Sequence, residues 1–188
     1  MEEFLPHKGN YKALLVYQKA ECIYDITYYF AHTFLAKGDR TIDQMIQAAR
    51  SGKQNIAEGS AAASTSSETE LKLINVARAS FQELLVDYED YLRVRGMVQW
   101  PLEDPRNKRT REVSIEHNDS TFYRDAISKT SDGTIANIAI TLLHQEDYML
   151  RKLIERLQDD FVKSGGIREK MFQARINYRN KTNNSHKR

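Results

Sequence analysis

Nine cations in two groups are the residues of this chain whose type and spacing could do chemistry. Arg106, Lys108, Arg109 and Arg111 stand close together, and Arg168, Lys170, Arg175, Arg179 and Lys181 punctuate the C-terminal end. Contacts to phosphate need only reachable positive charge, and Phe172 and Tyr178 beside the second group could stack on bases. The bland reading of each group is a solvated loop and a solvated tail. Charge is spread unevenly along the chain. Residues 1–162 carry 20 lysines and arginines against 25 carboxylates, whereas residues 163–188 carry eight against Glu169 alone. An acidic body with a basic tail is a layout for meeting a polyanionic partner.

A second polar set comprises Asn55, Glu58, Arg78 and Glu83. It could form a site between two helices. It could equally form a register-fixing network, with Asn55 and Glu58 pairing with Arg78 or with amides at the next helix start, and the commonness of satisfied buried polar groups favours the network. Metal chemistry has little support. A di-metal carboxylate bundle needs two Glu-x-x-His motifs, and none occurs; His144 with Asp147, even helped by Asp25, makes an incomplete set. Cys22 is the single cysteine, which excludes an internal disulfide and paired-cysteine zinc, and predicts a small buried side chain. No phosphate-binding glycine loop or nucleophile elbow is present. The chain is expected to be no enzyme and to take no cofactor, a small-molecule or metal enzyme being kept as a third reading because a missing motif is weak evidence.

The elements that must position these residues are helices. With 188 residues, 40% apolar and 29% charged, the chain can bury one good core, and three prolines and eight glycines favour long helices. No run of apolar residues is long enough to span a bilayer, and the N-terminal residues lack a hydrophobic export segment, so a cytoplasmic location is expected.

From Tyr11 to Lys37, Ala13, Val16, Tyr17, Ala20, Ile23, Tyr24, Thr27, Phe30, Ala31 and Phe34 recur at helical spacing. Leu14, Leu15, Cys22, Ile26 and Tyr29 add a second strip, which predicts burial on two sides, one of them against another subunit. Tyr11, Tyr17, Tyr24, Tyr28 and Tyr29 crowd this helix and fit core and interface packing. Gly38 should end it. A second helix should start near Thr41, capped by Thr41 or Asp39, with Ile42, Met45, Ile46, Ala49, Ile56 and Ala57 inward. Gly52 and Gly59 near that face predict close approach of another backbone, since each costs a helix about 1 kcal/mol against alanine. Ala61-Ala62-Ala63 continues or frays this helix.

Two overlapping capping boxes, Thr65 with Glu68 and Ser67 with Glu70, predict the start of a third helix. It carries Leu71, Ile74, Phe81, Leu84, Leu85, Tyr88 and Leu92 and stops at Gly96. Residues 97–133 lack sustained periodicity. They should cross the end of the bundle, with Trp100, Phe122, Tyr123 and Ile127 pinning the segment or forming a short helix. A fourth helix is predicted from near Thr134 to Lys163 through Ile135, Ile138, Ala139, Leu142, Met149, Leu153, Leu157 and Phe161. Ser164-Gly165-Gly166 reads as a terminator and hinge. Beyond it, Ile167 to Arg179 could form one more amphipathic helix. The expected fold is all-α: an antiparallel up-down four-helix bundle over residues 1–163, with an insert at 97–133 and a basic tail at 164–188.

Asn55-Ile56-Ala57-Glu58-Gly59, a Ser/Thr-rich turn, and then Asn75-Val76-Ala77-Arg78-Ala79-Ser80-Phe81-Gln82-Glu83-Leu84 resemble the bacterial four-helix-bundle family encoded in intervening sequences of 23S ribosomal RNA genes, also filed as S23-type proteins. The accessory variability determinant of diversity-generating retroelements belongs to the same superfamily. Gln47-Ala48-Ala49-Arg50-Ser51-Gly52-Lys53-Gln54 before the motif and Gly165-Gly166-Ile167-Arg168-Glu169 after the last helix resemble the subgroup of four helix bundle suffix proteins. The resemblance runs from about Tyr11 to Arg179 and is specific in residues 44–95.

That resemblance implies a homopentamer without established enzymatic activity, Asn55, Glu58, Gly59, Arg78 and Glu83 being the family-motif positions. It also implies binding to RNA or DNA and to a reverse transcriptase-like protein. Five tails on one face would present about forty cations, and multivalency raises weak contacts steeply. The expected function is therefore a homo-oligomeric accessory scaffold for nucleic acid. The alternative is a protein–protein assembly module whose tail helix docks a partner or a neighbouring subunit.

Overall fold

The structure is a computed structural model that describes residues 10–164 and 167–185. Within them the chain is helical and has no strand. A short 3-10 turn at Tyr11–Ala13 precedes α1 (Leu15–Phe34), α2 (Arg40–Ala62) and α3 (Ser67–Val94). Two shorter helices follow, α4 (Pro105–Glu116) and α5 (Ser120–Ile127), then α6 (Asp132–Ser164) and α7 (Ile167–Ser185). No helix is long and apolar enough to cross a membrane among the described residues.

Local chemistry sets the helix boundaries. Gly38 (φ +90°) and Gly96 (φ +64°) take the left-handed backbone just past α1 and α3, where a side chain would be strained. Asp39, the second of the two expected caps, accepts a hydrogen bond from the Thr41 amide at 2.9 Å. At α3 the cap is Ser66, whose Oγ accepts from the Thr69 amide at 3.1 Å. Neither expected capping box forms, because the start lies between their two registers and Thr65 instead donates to the Ala62 carbonyl.

α1 packs on α2 and α6, and α3 packs on the same two, so one core lies between four helices. Phe30 of α1 meets Tyr88 and Tyr91 of α3 at ring-centroid distances of 5.0 and 4.7 Å. The buried Tyr88 hydroxyl donates to Thr27 Oγ1, which donates to the Ile23 carbonyl, so no polar atom is stranded there. The close approach expected at Gly52 comes from a side chain: the Phe81 ring tip fills the place of its missing Cβ. The buried face of α6 runs through Ile135, Ala139, Leu142, Leu143, Glu146, Leu150 and Ile154. Phe161, expected inward, is 45% exposed because α6 outruns the core there.

The insert lies along the flank of the core rather than over its end, with α5 on α1 and α4 on α6. Tyr123 and Ile127, one turn apart on α5, are buried, and burial of such side chains contributes about 1.5–3 kcal/mol each. They cover the second apolar strip of α1, where Cys22 and Ile26 are fully enclosed. The middle of that strip is therefore shielded by the chain's own insert, while Leu15 at its start is 58% exposed. Burial pushes the Cys22 thiol up to about 12, so it stays an inert thiol at neutral pH.

α4 is held by polar ties. Asp104 caps it, accepting from the Arg106 amide at 2.8 Å, and Pro105 takes the first turn. Ser114, its one buried residue, donates to Gln145 Oε1 at 2.5 Å. The buried Lys19 ammonium of α1 donates to the Ser114 carbonyl and, at 3.4 Å, to that of His117. At the insert's start, Asn137 of α6 accepts from the Trp100 amide at 2.6 Å and donates to the Val98 carbonyl at 3.0 Å.

Candidate nucleic-acid interface

The two cation groups sit on different helices in different electrostatic settings. Arg106 forms a two-pronged pair with Asp104 (Nε–Oδ1 3.0 Å, Nη2–Oδ2 2.8 Å) while its guanidinium lies 4.8 Å from the Trp100 ring centroid. The hydrogen-bonded pair holds Asp104 below the usual carboxylate range and raises Arg106. Lys108 lies 2.7 Å from Glu103, and Arg109 lies 3.8 Å from Glu112. Residues 97–131 carry six cations and six carboxylates, so the insert presents no net positive field. Arg111 differs from its neighbours. Its Nη2 donates to the Leu102 carbonyl at 3.0 Å, its Nε is buried without an acceptor, and among the described residues no carboxylate pairs with it.

The C-terminal group occupies α7, which carries five cations against Glu169. Arg175 and Arg179 are exposed one turn apart, and with Ala174 and Tyr178 they line a shallow depression. Tyr178 is 73% exposed and Phe172 62%, so both aromatic rings stand at the surface beside the cations. Arg168, Lys170 and Lys181 fall on the same helix, with side chains outside the described set, as is the expected Gly165-Gly166 hinge. Among the described residues no substantial packing joins α7 to another helix.

The polar set on α2 and α3 does not converge. Arg78 turns away from α2 and pairs with Asp147 of α6 at 2.7 Å. Asn55 donates to the Ser51 carbonyl of its own helix at 2.8 Å, while Glu58 and Glu83 are exposed. Gly59 is buried against Ile74. The expected Asn55–Glu58–Arg78 network is thus replaced by one centred on Asp147, which also accepts from Gln82 at 2.9 Å and pairs with Arg151 at 3.0 Å. Asp147 stands one turn from its partner Arg151 in the sequence, a signal for that pair, but nothing local marks Arg78 as its other partner.

These contacts occupy the Asp147 carboxylate, and Asp25 faces Arg124 at 4.0 Å rather than His144. No group of three or more metal-ligating side chains occurs among the described residues. On α1, Tyr11 and Tyr17 stack edge-to-face at 4.8 Å, Lys53 lies 4.4 Å from the Tyr24 ring centroid, and Tyr28 is half exposed.

No protein-family model, curated protein or solved structure matches the chain.

Proposed function

We propose that this chain is a non-enzymatic scaffold that contacts RNA or DNA through α7. In this reading α1, α2, α3 and α6 form the antiparallel up-down bundle, and the bundle supplies a rigid base for a cationic arm. One observation carries it: α7 joins a fivefold excess of cations to exposed Arg175, Tyr178 and Arg179 on adjoining turns, beside an otherwise acidic body. Cations bind phosphates without base specificity, and Tyr178 supplies a stacking face that tolerates any base. The insert cations are secondary, because Asp104, Glu103 and Glu112 compete for Arg106, Lys108 and Arg109.

The resemblance to the intervening-sequence family adds assembly as a homopentamer, a cytoplasmic setting and a reverse transcriptase-like partner to the proposal. Copy number matters physically, since several weak arms on one particle bind a polymer far more tightly than one.

The test is fluorescence anisotropy of a labelled single-stranded RNA, with the whole chain and with a chain ending at residue 164. Binding at low salt that weakens steeply with added salt and disappears on truncation supports the proposal. Binding unchanged by truncation sinks it.

Exposed Met171 and Phe172 favour a second reading, in which α7 docks a protein or a neighbouring subunit and nucleic acid plays no part. Light scattering separates the two. Truncation that halves or abolishes the assembly mass, with no RNA binding by the whole chain, selects the second.

A further inference from the structure

The insert roofs a recess that the nucleic-acid reading does not use. Its volume is about 880 Å³, within the range of small-molecule sites, and it lies between the start of α1, the underside of α4 and the middle of α6. Four of its lining residues are large apolar side chains left in water: Leu15 (58% exposed), Leu102 (64%), Ile115 (73%) and Tyr148 (56%). They come from α1, the segment before α4, α4 itself and α6, so they surround the opening instead of lying along one helix. Exposed apolar side chains gathered around a concave opening mark a binding site more often than scattered ones do.

The charged lining is of one sign. Lys19, Arg111 and Arg151 contribute to the wall, and no aspartate or glutamate does. That is unusual in a body whose first 162 residues hold more carboxylates than cations. Arg151 pairs with Asp147 at 3.0 Å, a carboxylate it shares with Arg78. Among the described residues neither Lys19 nor Arg111 forms an ion pair with a carboxylate, although the buried Glu146 lies near enough to attract Lys19. Both rest on backbone carbonyls, Lys19 on Ser114 and His117, Arg111 on Leu102. The Arg111 Nε–H is buried without an acceptor, a costly state that a two-oxygen acceptor would relieve. Its neighbour one turn back, Asn107, shares the wall and also has a buried Oδ1 without a donor.

We propose that this recess binds a small amphipathic organic acid, its apolar body against Leu15, Leu102, Ile115 and Met149 and its carboxylate on Arg111 and Lys19. Arg111 receives the carboxylate by turning its guanidinium from the Leu102 carbonyl into the recess, because Nε is closed to solvent in the present conformation. Lys19 keeps one hydrogen for the ligand after serving two carbonyls. Apolar walls supply affinity, and the two cations select a negative head group. Lys19 and Ser114 tie α1 to α4 at the recess floor, so occupancy would also brace the insert against the core.

Isothermal titration calorimetry with three probes that share an eight-carbon chain, below their micelle concentrations, tests this: octanoate, octan-1-ol and octyltrimethylammonium. Octanoate should bind the whole chain at least roughly tenfold more tightly than octan-1-ol, the worth of one charge-assisted pair, and the cation should not bind. Arg111→Met keeps the apolar stem and should bring octanoate to the level of octan-1-ol. Met149→Trp fills the recess and should abolish both, with melting curves checking that each variant is folded. Equal affinity for acid and alcohol overturns the proposal, as does undiminished octanoate binding in Arg111→Met. A failure of octanoate to bind also overturns it, and if Ile115→Asp then lowers the assembly mass, the opening is covered by another protein surface.

Discussion

Phe81 of α3 points its ring tip at Gly52 of α2, so that a Cβ built on Gly52 would lie 2.4 Å from Phe81 Cζ. Phe81 is 1% exposed and enclosed by the core, so the ring has little room to retreat. Two helices are brought together here by a missing side chain on one and a large one on the other.

Gly52→Ala should therefore destabilise the protein by about 1–3 kcal/mol, overpacking outweighing the gain in helix propensity. Gly59 meets the flexible end of Ile74 at 3.2 Å, which can give way by a few tenths of an ångström. Gly59→Ala should change stability by less than about 1 kcal/mol, since the propensity gain offsets a mild contact. Urea midpoints of the two variants check the contrast; equal losses would show that the Phe81 contact is not what sets the spacing.

Glu146 of α6 is fully buried, and neither carboxylate oxygen has a hydrogen-bond partner. Burial pushes its pKa well above the ordinary value, and the weaker attraction of Lys19 opposes this. The folded state thus holds the proton to higher pH than the unfolded chain does. Stability is full below the unfolded pKa and falls as pH rises towards the folded one. Glu146→Leu should flatten that decline and raise stability at pH 8 by about 1–3 kcal/mol. The advantage should shrink towards pH 4. Thermal unfolding of both proteins from pH 4 to 8 measures it, and parallel curves would refute the assignment.

Asn137 is 3% exposed and holds the first residues of the insert through Trp100 and Val98. Asn137→Ala strands the Trp100 amide and should cost about 1–3 kcal/mol. Because the contact is local to the insert's start, amide exchange should quicken around residues 98–100 before it does in α2 or α3. Uniform quickening would mean that the insert and core open as one unit.

If α7 is the arm that meets nucleic acid, Arg175→Ala with Arg179→Ala should weaken single-stranded RNA binding without altering the melting temperature. Two lost phosphate contacts should reduce the slope of log affinity against log salt by roughly 1.4. An unchanged slope would place the contacts elsewhere. The same substitutions on α4 at Lys108 and Arg109 should have a smaller effect, since Glu103 and Glu112 already share those charges.

The long helices were legible because their evidence is local. Apolar residues at a 3.6-residue period mark α1, α2, α3 and α6 wherever they end up packing, and Gly38 and Gly96 stop helices through their own backbone freedom. A cap is nearly as local, yet Ser66 took the place expected of Thr65 or Ser67, since three adjacent hydroxyls offer the same chemistry in three registers. α4 escaped because one buried serine cannot produce a periodicity, although Asp104-Pro105 carries the marks of a helix start. The candidate site divided in the same way: the charge excess of the tail is countable from composition, whereas the neutralising of Arg106, Lys108 and Arg109 depends on side-chain reach.

What the chain alone determined is its helical character, the placement of its long helices and its split into an acidic body and a basic end. Only the tertiary structure decided that Arg78 answers to Asp147 across 69 residues and that Lys19 holds the Ser114 carbonyl across 95. It also decided that Glu146 and Lys19 are buried and that Arg111 lies at the wall of a recess with its guanidinium on the Leu102 carbonyl. The physical reason is one of range. A helix is specified by neighbours three and four residues apart, but a polar side chain's partner is whatever group the packed elements bring within about 3 Å of it.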